Sequence, residues 1–476
     1  KYYSSLSYTK DQGRVKINGY DRITGRVNLS QKVGKRLDII TNVNIANTNL
    51  SGFNDTRSTS ANYYEQTRNL LWGLYHPTDY KTGEPYTNRF GSYAQNNVYY
   101  DNEWDNSSET FRITANESIL LKILPTLDFK TVFSYDNVTT KDEIYYSRIH
   151  YYGEGLGTLS NMITSTQNIV SSSTLNYAKS FGKQRIDLLG GFEVSKNQTD
   201  YQRASGQDLP SSALHTVITA GELDASGYYW GNNMLSMLSR VEYNYDLKYF
   251  LSASFRRDGS SKLGPDTRWG NFWSLAGAWN LDQEKFMEGQ DLFTSLRVKA
   301  SYGVNGTLPP SNYGWRSLTS YTSNYMGNAG GELSNAADAN LSWETNYTYN
   351  LGVEFGMFDQ RLYGTIEYFN RDSKDLLQSV PISRVTGFST TLKNIGSINN
   401  KGIELQLGGD IIRTDLVKWT LDINGSFTNS KVTDLYEGAD IIWYSGVDAY
   451  SKFIYRDGES TRAFYGYEYA GVDKSN

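Results

Sequence analysis

The chain has 476 residues, of which 38% are hydrophobic, and it includes 39 tyrosines, 10 tryptophans and 43 glycines at a formal net charge of −5. No stretch holds the roughly 18–20 apolar residues that a membrane-spanning helix needs, and the acidic balance argues against a nucleic-acid partner. The chain has no cysteine, which excludes disulfides, thiolate metal sites and a cysteine nucleophile.

The first residues already alternate between apolar and polar side chains, which is the pattern of a strand with two different faces. In Asp21–Val33, apolar residues such as Val27 share one face and polar residues such as Asn28 share the other. Gly34-Lys35 then predicts a tight turn, and the alternation continues in Leu37–Asn49. Because the chain starts in a strand-like sequence without a signal peptide, we interpret it as an internal piece of a longer exported protein.

The alternation recurs in about 15 segments, most of about 10–13 residues, the length that crosses a bilayer when a strand is tilted. Thr345–Met357 and Lys418–Ser430 are two examples. Short links are predicted at Gly34-Lys35, Lys122–Thr126, Gly182–Gln184, Asp246-Leu247, Phe358–Gln360 and Ile412–Val417. Long links are predicted at Leu50–Ser108, Asn137–Gln167, Asn197–Gly231, Gly306–Glu344, Asp372–Asn394 and from Lys431 onward. Asp282–Thr294 is a longer link on the short side, with a helical turn expected at Glu284–Met287.

These features together predict an all-β protein, a transmembrane antiparallel up-and-down β-barrel, with residues 1–476 as one partial barrel domain. A soluble β-sandwich also alternates, but long segments, alternating link lengths and Tyr and Trp near segment ends favour the membrane barrel. About 15 strands would leave an unpaired edge in lipid, so we expect further strands outside this chain.

The register predicts which side chains face lipid and which face the barrel lumen. The residues expected to face lipid are Val27, Leu29, Leu351, Val353, Leu421 and Ile423. The polar and charged residues expected to face the lumen are Arg22, Arg26, Asn28, Asp187, Glu193, Arg240, Glu242, Glu354, Glu367 and Asp422. Such charges fit a wet or plugged interior, in which they bond to a plug or to each other.

Several stretches of the sequence resemble the SusC-like family of TonB-dependent outer-membrane transporters. They are YYSSLSY at Tyr2–Tyr8, KYFLSASFRRDGSS at Lys248–Ser261, WGNFWS at Trp269–Ser274, LRVKASYG at Leu296–Gly303, LSWE at Leu341–Glu344, YNLG at Tyr349–Gly352, NIGS at Asn394–Ser397, NKGIEL at Asn400–Leu405 and AGVD at Ala470–Asp473. The resemblance runs along the whole chain, and the block that begins at Lys248 is the most specific.

The resemblance implies a barrel of about 22 strands with a plugged lumen in the Gram-negative outer membrane. It implies a plug and a TonB box outside this chain, a SusD-like surface lipoprotein as a partner, and import of an oligosaccharide or peptide that depends on TonB. We expect neither enzymatic activity nor a cofactor. A passive porin and a surface adhesin or receptor are the alternatives, and an upstream plug would separate the importer from the porin.

Aromatic residues in the predicted long links are the candidate substrate contacts, because aromatic faces stack on sugar rings and hold peptide side chains. The candidates are Tyr228, Tyr229, Trp230, Tyr313, Trp315, Tyr325, Trp443 and Tyr444. The alternative is that they pack within the links or contact a lid protein. Ser58–Gly73 has helical character and is expected to pack on the barrel mouth or on a partner.

No catalytic or metal site is predicted from the sequence. His76, His150 and His215 all fall in predicted links, and Asp79 near His76 reflects the usual abundance of aspartate in loops. The oxygen-rich run Asp101-Asn102-Glu103 with Asp105 lacks the glycine and the spacing of an EF-hand calcium loop, so we interpret it as a solvated loop. Arg256–Ser261 is interpreted as a strand end leading into a glycine turn rather than as an anion site.

Overall fold

The computed structural model describes residues 1–13, 18–52, 78–84, 103–444 and 452–472. The chain divides into two compact units. Unit 1 comprises Lys1–Lys122, Lys130–Ser173 and Val194–Asn232, and unit 2 comprises Ile123–Phe129, Thr174–Glu193 and Asn233–Asn476. Within the described ranges, no helix is long and apolar enough to cross a membrane.

Fifteen strands of the described chain form one sheet, in which neighbours in sequence are neighbours in space apart from one inserted hairpin. In this order they are β1 (Tyr2–Gln12), β2 (Gly19–Val33), β3 (Leu37–Ser51), β4 (Trp104–Leu124), β5 (Leu127–Tyr146), β6 (Thr158–Phe181), β7 (Gln184–Gln207), β8 (Glu222–Tyr245), β9 (Tyr249–Ser260), β10 (Trp269–Asn280), β11 (Phe293–Thr307), β14 (Glu344–Met357), β15 (Leu362–Pro381), β16 (Thr390–Arg413) and β17 (Lys418–Asp434). The sheet is antiparallel and up-and-down, as the sequence predicted.

The remaining strands lie in the links. β12 (Thr319–Tyr325) and β13 (Asn328–Leu333) form a hairpin between β11 and β14, and β18 (Ile441–Tyr444), β19 (Lys452–Tyr455) and β20 (Ala463–Tyr465) form a small sheet after β17. Single-turn 3₁₀ helices lie at Tyr151–Gly153, Val217–Thr219, Leu281–Gln283, Lys285–Met287, Arg384–Thr386 and Tyr436–Gly438. Lys285–Met287 confirms the helical turn predicted in the Asp282–Thr294 link.

The strand register separates apolar from charged side chains across β11, β14 and β15. Val353 pairs with Val298 on one side and with Ile366 on the other, and all three are exposed. The next residue, Glu354, pairs with Arg297 and Thr365 on the opposite face of the sheet. We call the side that carries Val353 the apolar face and the side that carries Glu354 the charged face. The alternation in the sequence is therefore the alternation between these two faces.

The short links are tight turns. Gly34 and Gly182 have φ values of 65° and 59°, and Asp246 and Leu247 have 54° and 57°, in the left-handed region that hairpin turns use. At the β8–β9 turn, the Lys183 ammonium lies 2.6 Å from a carboxylate oxygen of Asp246. These turns agree with the short links that the sequence predicted.

The strands are longer than predicted, and several long links are correspondingly shorter. β6, β7, β8 and β16 each have 24 residues, where segments of about 10–13 were expected. The links predicted at Asn137–Gln167, Asn197–Gly231 and Asp372–Asn394 are reduced to residues 147–157, 208–221 and 382–389. Beyond the bilayer both faces of a strand can be polar, so the alternation fades while backbone pairing continues. Tyr228, Tyr229 and Trp230, which we placed in a link, therefore lie in β8.

Candidate functional site

The charged face of unit 2 carries an ion cluster built by three strands. Lys299 of β11 places its ammonium 3.0 Å from Oε1 of Glu354 on β14 and 2.9 Å from Oε2 of Glu367 on β15. All three side chains are partly exposed. The ammonium of Lys299 attracts both carboxylates and so offsets the repulsion between Glu354 and Glu367.

Lys299 reaches Glu367 by crossing the strand that lies between them. Lys299 pairs with Gly352 of β14, and Gly352 pairs with Glu367 of β15. A Cβ atom at Gly352 would lie 2.5 Å from Cε and 3.0 Å from Cγ of Lys299. Because Gly352 has no side chain, the Lys299 side chain has room to lie across β14 at this position.

A cavity of about 640 Å³ lies over this part of the charged face. Its lining includes Arg185, Asp187, Glu242, Arg297, Lys299 and Glu367. The Arg185 guanidinium binds Asp187 at 2.8 Å, and the Arg297 guanidinium lies 5.2 Å from the ring centroid of Phe250. Charges of both signs thus surround a space large enough for a small solute or for a protein segment. We call this space the charged cavity.

Arg256 is the centre of a second polar network in unit 2. It donates to Glu193 at 3.0 Å, to Asp258 at 2.7 Å and to the Ser236 hydroxyl at 2.8 Å. Two carboxylates therefore satisfy this guanidinium, which agrees with our rejection of an anion site here. β9 continues to Ser260, however, so the glycine turn that we predicted at Gly259 is a strand position instead.

Many of the charges predicted for the lumen lie in these networks. Asp187, Glu242 and Glu367 line the charged cavity, and Glu354 binds Lys299, whose side chain also lines it. Glu193 binds Arg256. In β17, Asp422 accepts a hydrogen bond of 2.9 Å from the Tyr363 hydroxyl.

The sequence reading missed the basic partners Arg256, Arg297 and Lys299. The signal was present, because Arg297 and Lys299 have the same parity as the polar residues of Leu296–Gly303.

The candidate aromatic residues of unit 1 lie together on β8. Tyr228 is 53% exposed and Tyr229 is 61% exposed, whereas Trp230 is half-buried. The Tyr228 ring stacks on Tyr201 of β7, with centroids 4.8 Å apart and planes at 21°. Adjacent residues of a strand point to opposite faces, so Tyr228 and Tyr229 present their rings on different sides of β8.

Three candidate aromatic residues of unit 2, Tyr313, Trp315 and Tyr325, lie in the 308–343 link. Tyr325 is 74% exposed at the end of β12, where the hairpin turns into β13. Tyr313 is half-buried, and Trp315 packs against the buried residues Leu263, Leu341 and Trp343. The Trp315 indole donates to the Ser261 carbonyl at 3.4 Å, and the Arg316 guanidinium lies 4.3 Å from its ring.

Trp443 and Tyr444 belong to β18, where their backbones pair with Phe453 and Lys452. Their side chains lie outside the described part of the structure. Of the six candidate aromatic residues whose side chains the structure describes, none lines the charged cavity. The candidate contacts and the charged cavity are therefore separate features.

Hydrogen bonds join the 261–268 link to the 308–343 link. Thr267 donates to the Leu341 carbonyl at 2.7 Å, and the Trp343 indole donates to the Arg268 carbonyl at 3.1 Å. Lys262 donates to the Pro309 carbonyl at 3.1 Å. Leu263 and Leu341 are fully buried between the two links. The two links thus form one packed cap on this end of β9, β10, β11 and β14.

The described histidines are held by packing. His150 in the 147–157 link is 4% exposed, its ring stacks on Tyr146 at 4.7 Å, and its Nδ1 accepts the Tyr152 backbone N–H at 3.1 Å. Burial lowers the pKa of His150 to about 4, so the imidazole is neutral at physiological pH. His215 stacks on Tyr145 with ring centroids 3.9 Å apart.

Several residues that the sequence singled out lie outside the described residues. They are His76, Asp101, Asn102 and the helical stretch Ser58–Gly73. Of the oxygen-rich run, Glu103 and Asp105 are described. Glu103 accepts a hydrogen bond from the Ser147 hydroxyl, and Asp105 lies in β4 rather than in the solvated loop that the sequence predicted.

The chain is similar to known outer-membrane receptors. Residues 2–474 match the family described as TonB dependent receptor-like, beta-barrel. The chain is 28% identical over 494 aligned positions to TonB-dependent receptor P3 of Formosa agariphila, covering 99% of this chain and 48% of that protein. It is 26% identical over 487 positions to TonB-dependent receptor SusC of Bacteroides thetaiotaomicron, covering 93% of this chain and 46% of that protein. The chain thus spans about half the length of these relatives.

Solved structures share the fold. The structure of the RagAB peptide transporter matches with a TM-score of 0.84 at 24% identity, over 100% of this chain and 53% of that chain. The ferric citrate transporter FecA in its unliganded form matches with a TM-score of 0.53 at 9% identity, over 92% of this chain and 55% of that chain. The predicted all-β transmembrane up-and-down barrel is confirmed by these matches. The chain belongs to the TonB-dependent receptor-like β-barrel family of the Gram-negative outer membrane, with SusC among its relatives.

Proposed function

We propose that the protein is the barrel component of an active outer-membrane importer that takes up an oligosaccharide or a peptide. Membership of the TonB-dependent receptor-like family over residues 2–474 is the observation that carries this proposal. In this proposal the protein catalyses no reaction, and its work is the controlled passage of a solute too large for a passive pore.

The likeness to SusC and to the RagAB peptide transporter supports the kind of assembly. On this basis the barrel works with a SusD-like surface lipoprotein on its outer side. It draws on TonB through a part of the whole protein that lies outside this chain. A peptide is the cargo named for RagAB, and an oligosaccharide is the cargo that the resemblance to the SusC-like family implies.

The charged cavity supports a hydrated route through the barrel rather than a dry core. Its wall pairs Lys299 with Glu354 and Glu367, and Arg185 with Asp187. The charged side chains that line the cavity comprise three basic and three acidic residues, so the wall presents little net charge and does not select one sign of solute. Such a wall can contact the polar surface of either an oligosaccharide or a peptide.

The candidate aromatic residues are proposed to hold the solute before it enters. Tyr229 and Tyr325 offer the most exposed rings among the described candidates. Tyr228 offers one exposed ring that is already stacked on Tyr201, a geometry that extends to a third flat group. Trp230, Tyr313 and Trp315 are more enclosed, and Trp443 and Tyr444 complete the proposed set.

Uptake in living cells tests the import proposal. A strain that lacks the full-length protein is complemented with the wild type and grown on single glycans or peptides, with and without TonB. Growth that requires both the protein and TonB supports the proposal. Growth that requires the protein but persists undiminished without TonB would indicate a passive pore, and no protein-dependent growth on any cargo would favour a surface receptor.

Paired substitutions test the aromatic contacts. Tyr229→Ala and Tyr325→Ala are expected to weaken binding of the identified cargo by about 1 kcal/mol or more each at a true contact. Phe255→Ala is the matched control, because it removes an exposed ring from β9 on the apolar face. Binding is measured on the purified full-length protein in detergent. Equal affinity for all four proteins would remove these two residues from the proposed site while leaving import intact.

A further inference from the structure

Three side chains that are distant in sequence meet at one end of unit 1. Asp105 is the second residue of β4, Glu143 lies near the end of β5, and His215 lies in the 208–221 link. Their potential ligand atoms all lie within 4.8 Å of one another. Nδ1 of His215 is 3.6 Å from Oε1 of Glu143. We propose that these residues form a binding site for a divalent transition-metal ion of the zinc class.

The spacing suits such an ion. Ligand atoms that bind Zn²⁺ at about 2.0–2.2 Å in a tetrahedron lie about 3.3–3.6 Å from each other. The His215–Glu143 distance of 3.6 Å already has this value, and the Asp105 carboxylate, which lies within 4.8 Å of both ligand atoms, would approach them more closely when the ion binds. Asp105 and His215 are exposed, so an ion can enter and complete its coordination with water.

The charges at this point call for a cation. Two carboxylates, from Asp105 and Glu143, face each other within 4.8 Å, an arrangement that is unfavourable when both are ionised. A contact between His215 and Glu143 alone is partly exposed and of little energetic value. It does not account for the third side chain, whereas a bound divalent ion satisfies all three.

The fold holds His215 in position from both sides. Its ring stacks on Tyr145 with centroids 3.9 Å apart, and the Tyr145 hydroxyl donates to the Ser212 carbonyl at 3.1 Å. Leu209, before His215 in the link, is 1% exposed in a cluster with Tyr145 and Leu159, and Val217 and Ala220, after it, pack on the same cluster. The imidazole is therefore presented by an anchored link, which lowers the entropic cost of binding.

The ligand set distinguishes between metals. Ca²⁺ and Mg²⁺ bind oxygen ligands, whereas an imidazole nitrogen with carboxylates suits Zn²⁺ and neighbouring transition metals. The sequence alone predicted no metal site, because the three ligands are spread over residues 105 to 215 and only the fold brings them together. The ion would tie β4, β5 and the 208–221 link together.

Metal titration of the purified protein tests the site. Full-length protein in detergent is stripped with a chelator and titrated with Zn²⁺ by calorimetry, and with Co²⁺ by visible absorption, which reports tetrahedral coordination. We expect one Zn²⁺ per chain and a Co²⁺ spectrum that Zn²⁺ abolishes. His215→Ala and Glu143→Gln should each weaken binding at least about tenfold. Asp142→Asn, which removes the same charge one position away, is the matched control and should bind as the wild type does.

Three outcomes would overturn the proposal. They are no saturable Zn²⁺ binding by the wild type, equal binding by His215→Ala and the wild type, and displacement of Zn²⁺ by equimolar Ca²⁺. Protease cleavage of the 208–221 link gives a second readout, because Zn²⁺ should slow cleavage in the wild type and in Asp142→Asn but not in His215→Ala. Heat-modifiable migration on gels shows whether each variant has folded before its binding is scored.

Discussion

The ammonium of Lys299 lies 2.9 Å from the carboxylate of Glu367, although β14 runs between the strands that carry them. The contact exists because the intervening residue is Gly352, whose missing side chain leaves room for the lysine stem. A glycine that would weaken an ordinary strand is therefore required here by the lysine of the adjacent strand β11, which reaches across β14 to β15.

A double-mutant cycle tests this relationship. Gly352→Ala should displace Lys299 and cost about 1 kcal/mol in the wild type, because the new Cβ meets a flexible side chain and the ion pair is partly exposed. In a Lys299→Ala background the same change should be neutral, or stabilising by about 0.5–1 kcal/mol, since alanine loses less backbone entropy than glycine. Urea unfolding of the full-length protein in lipid vesicles measures both. An equal cost in the two backgrounds would contradict the proposed crossing.

Arginine scanning tests which face of the sheet meets lipid. Val353→Arg should lower the free energy of unfolding by roughly 2–4 kcal/mol if Val353 lies at mid-bilayer depth on the lipid side. Thr365→Arg is the control, because Thr365 pairs with Glu354 on the charged face and should tolerate a cation at small cost. The same unfolding assay in vesicles applies. A Thr365→Arg variant that loses more stability than Val353→Arg would show that the faces are reversed.

The 147–157 link should loosen as the pH falls. Burial lowers the pKa of His150 from 6.5 to about 4. Between these pH values the imidazole binds a proton when the link is open but stays neutral when the link is closed, so acid favours the open form. Local stability is therefore complete above pH 6.5 and declines as the pH falls towards 4, by up to roughly 3 kcal/mol in all. Hydrogen exchange of the link amides, corrected for intrinsic rates, measures this decline.

Matched glutamine variants isolate the effect of His150. His150→Gln keeps a hydrogen-bond acceptor but does not titrate, so it should lose the pH dependence between pH 7 and 5. His215→Gln, measured with a chelator present, should keep it. The same decline in the wild type and in His150→Gln would assign the effect to other groups.

Tag accessibility tests the orientation in the membrane. An epitope inserted after Gly327, in the turn between β12 and β13, should be readable on intact cells because the link that contains it is long. An epitope after Gly182, in the β6–β7 turn, should become readable only after the outer membrane is permeabilised. Antibody binding to the Gly182 tag on intact cells would mean that the topology is inverted.

The alternation in the sequence was sufficient to predict the sheet, its order and its tight turns, because a strand with one apolar face must alternate. It could not predict how far β6, β7 and β8 extend, since the outer parts of these strands, such as the stretch of β8 that contains Tyr228, Tyr229 and Trp230, do not alternate regularly between apolar and polar side chains. It also could not predict the ion cluster. Glu354 and Glu367 were assigned to the charged face by parity, but their contact with Lys299 depends on register and on Gly352.

The hydrogen bonds that join the 261–268 link to the 308–343 link bear on how this family can diversify. Thr267 and Leu341 are joined across the two links, as are Lys262 and Pro309. An insertion or deletion at these points in either link would break its hydrogen bonds to the other link. Variation that alters the outer surface should therefore accumulate in the β12–β13 hairpin, beyond the joined segments. Among related proteins the lengths of the two joined segments should change together or stay constant.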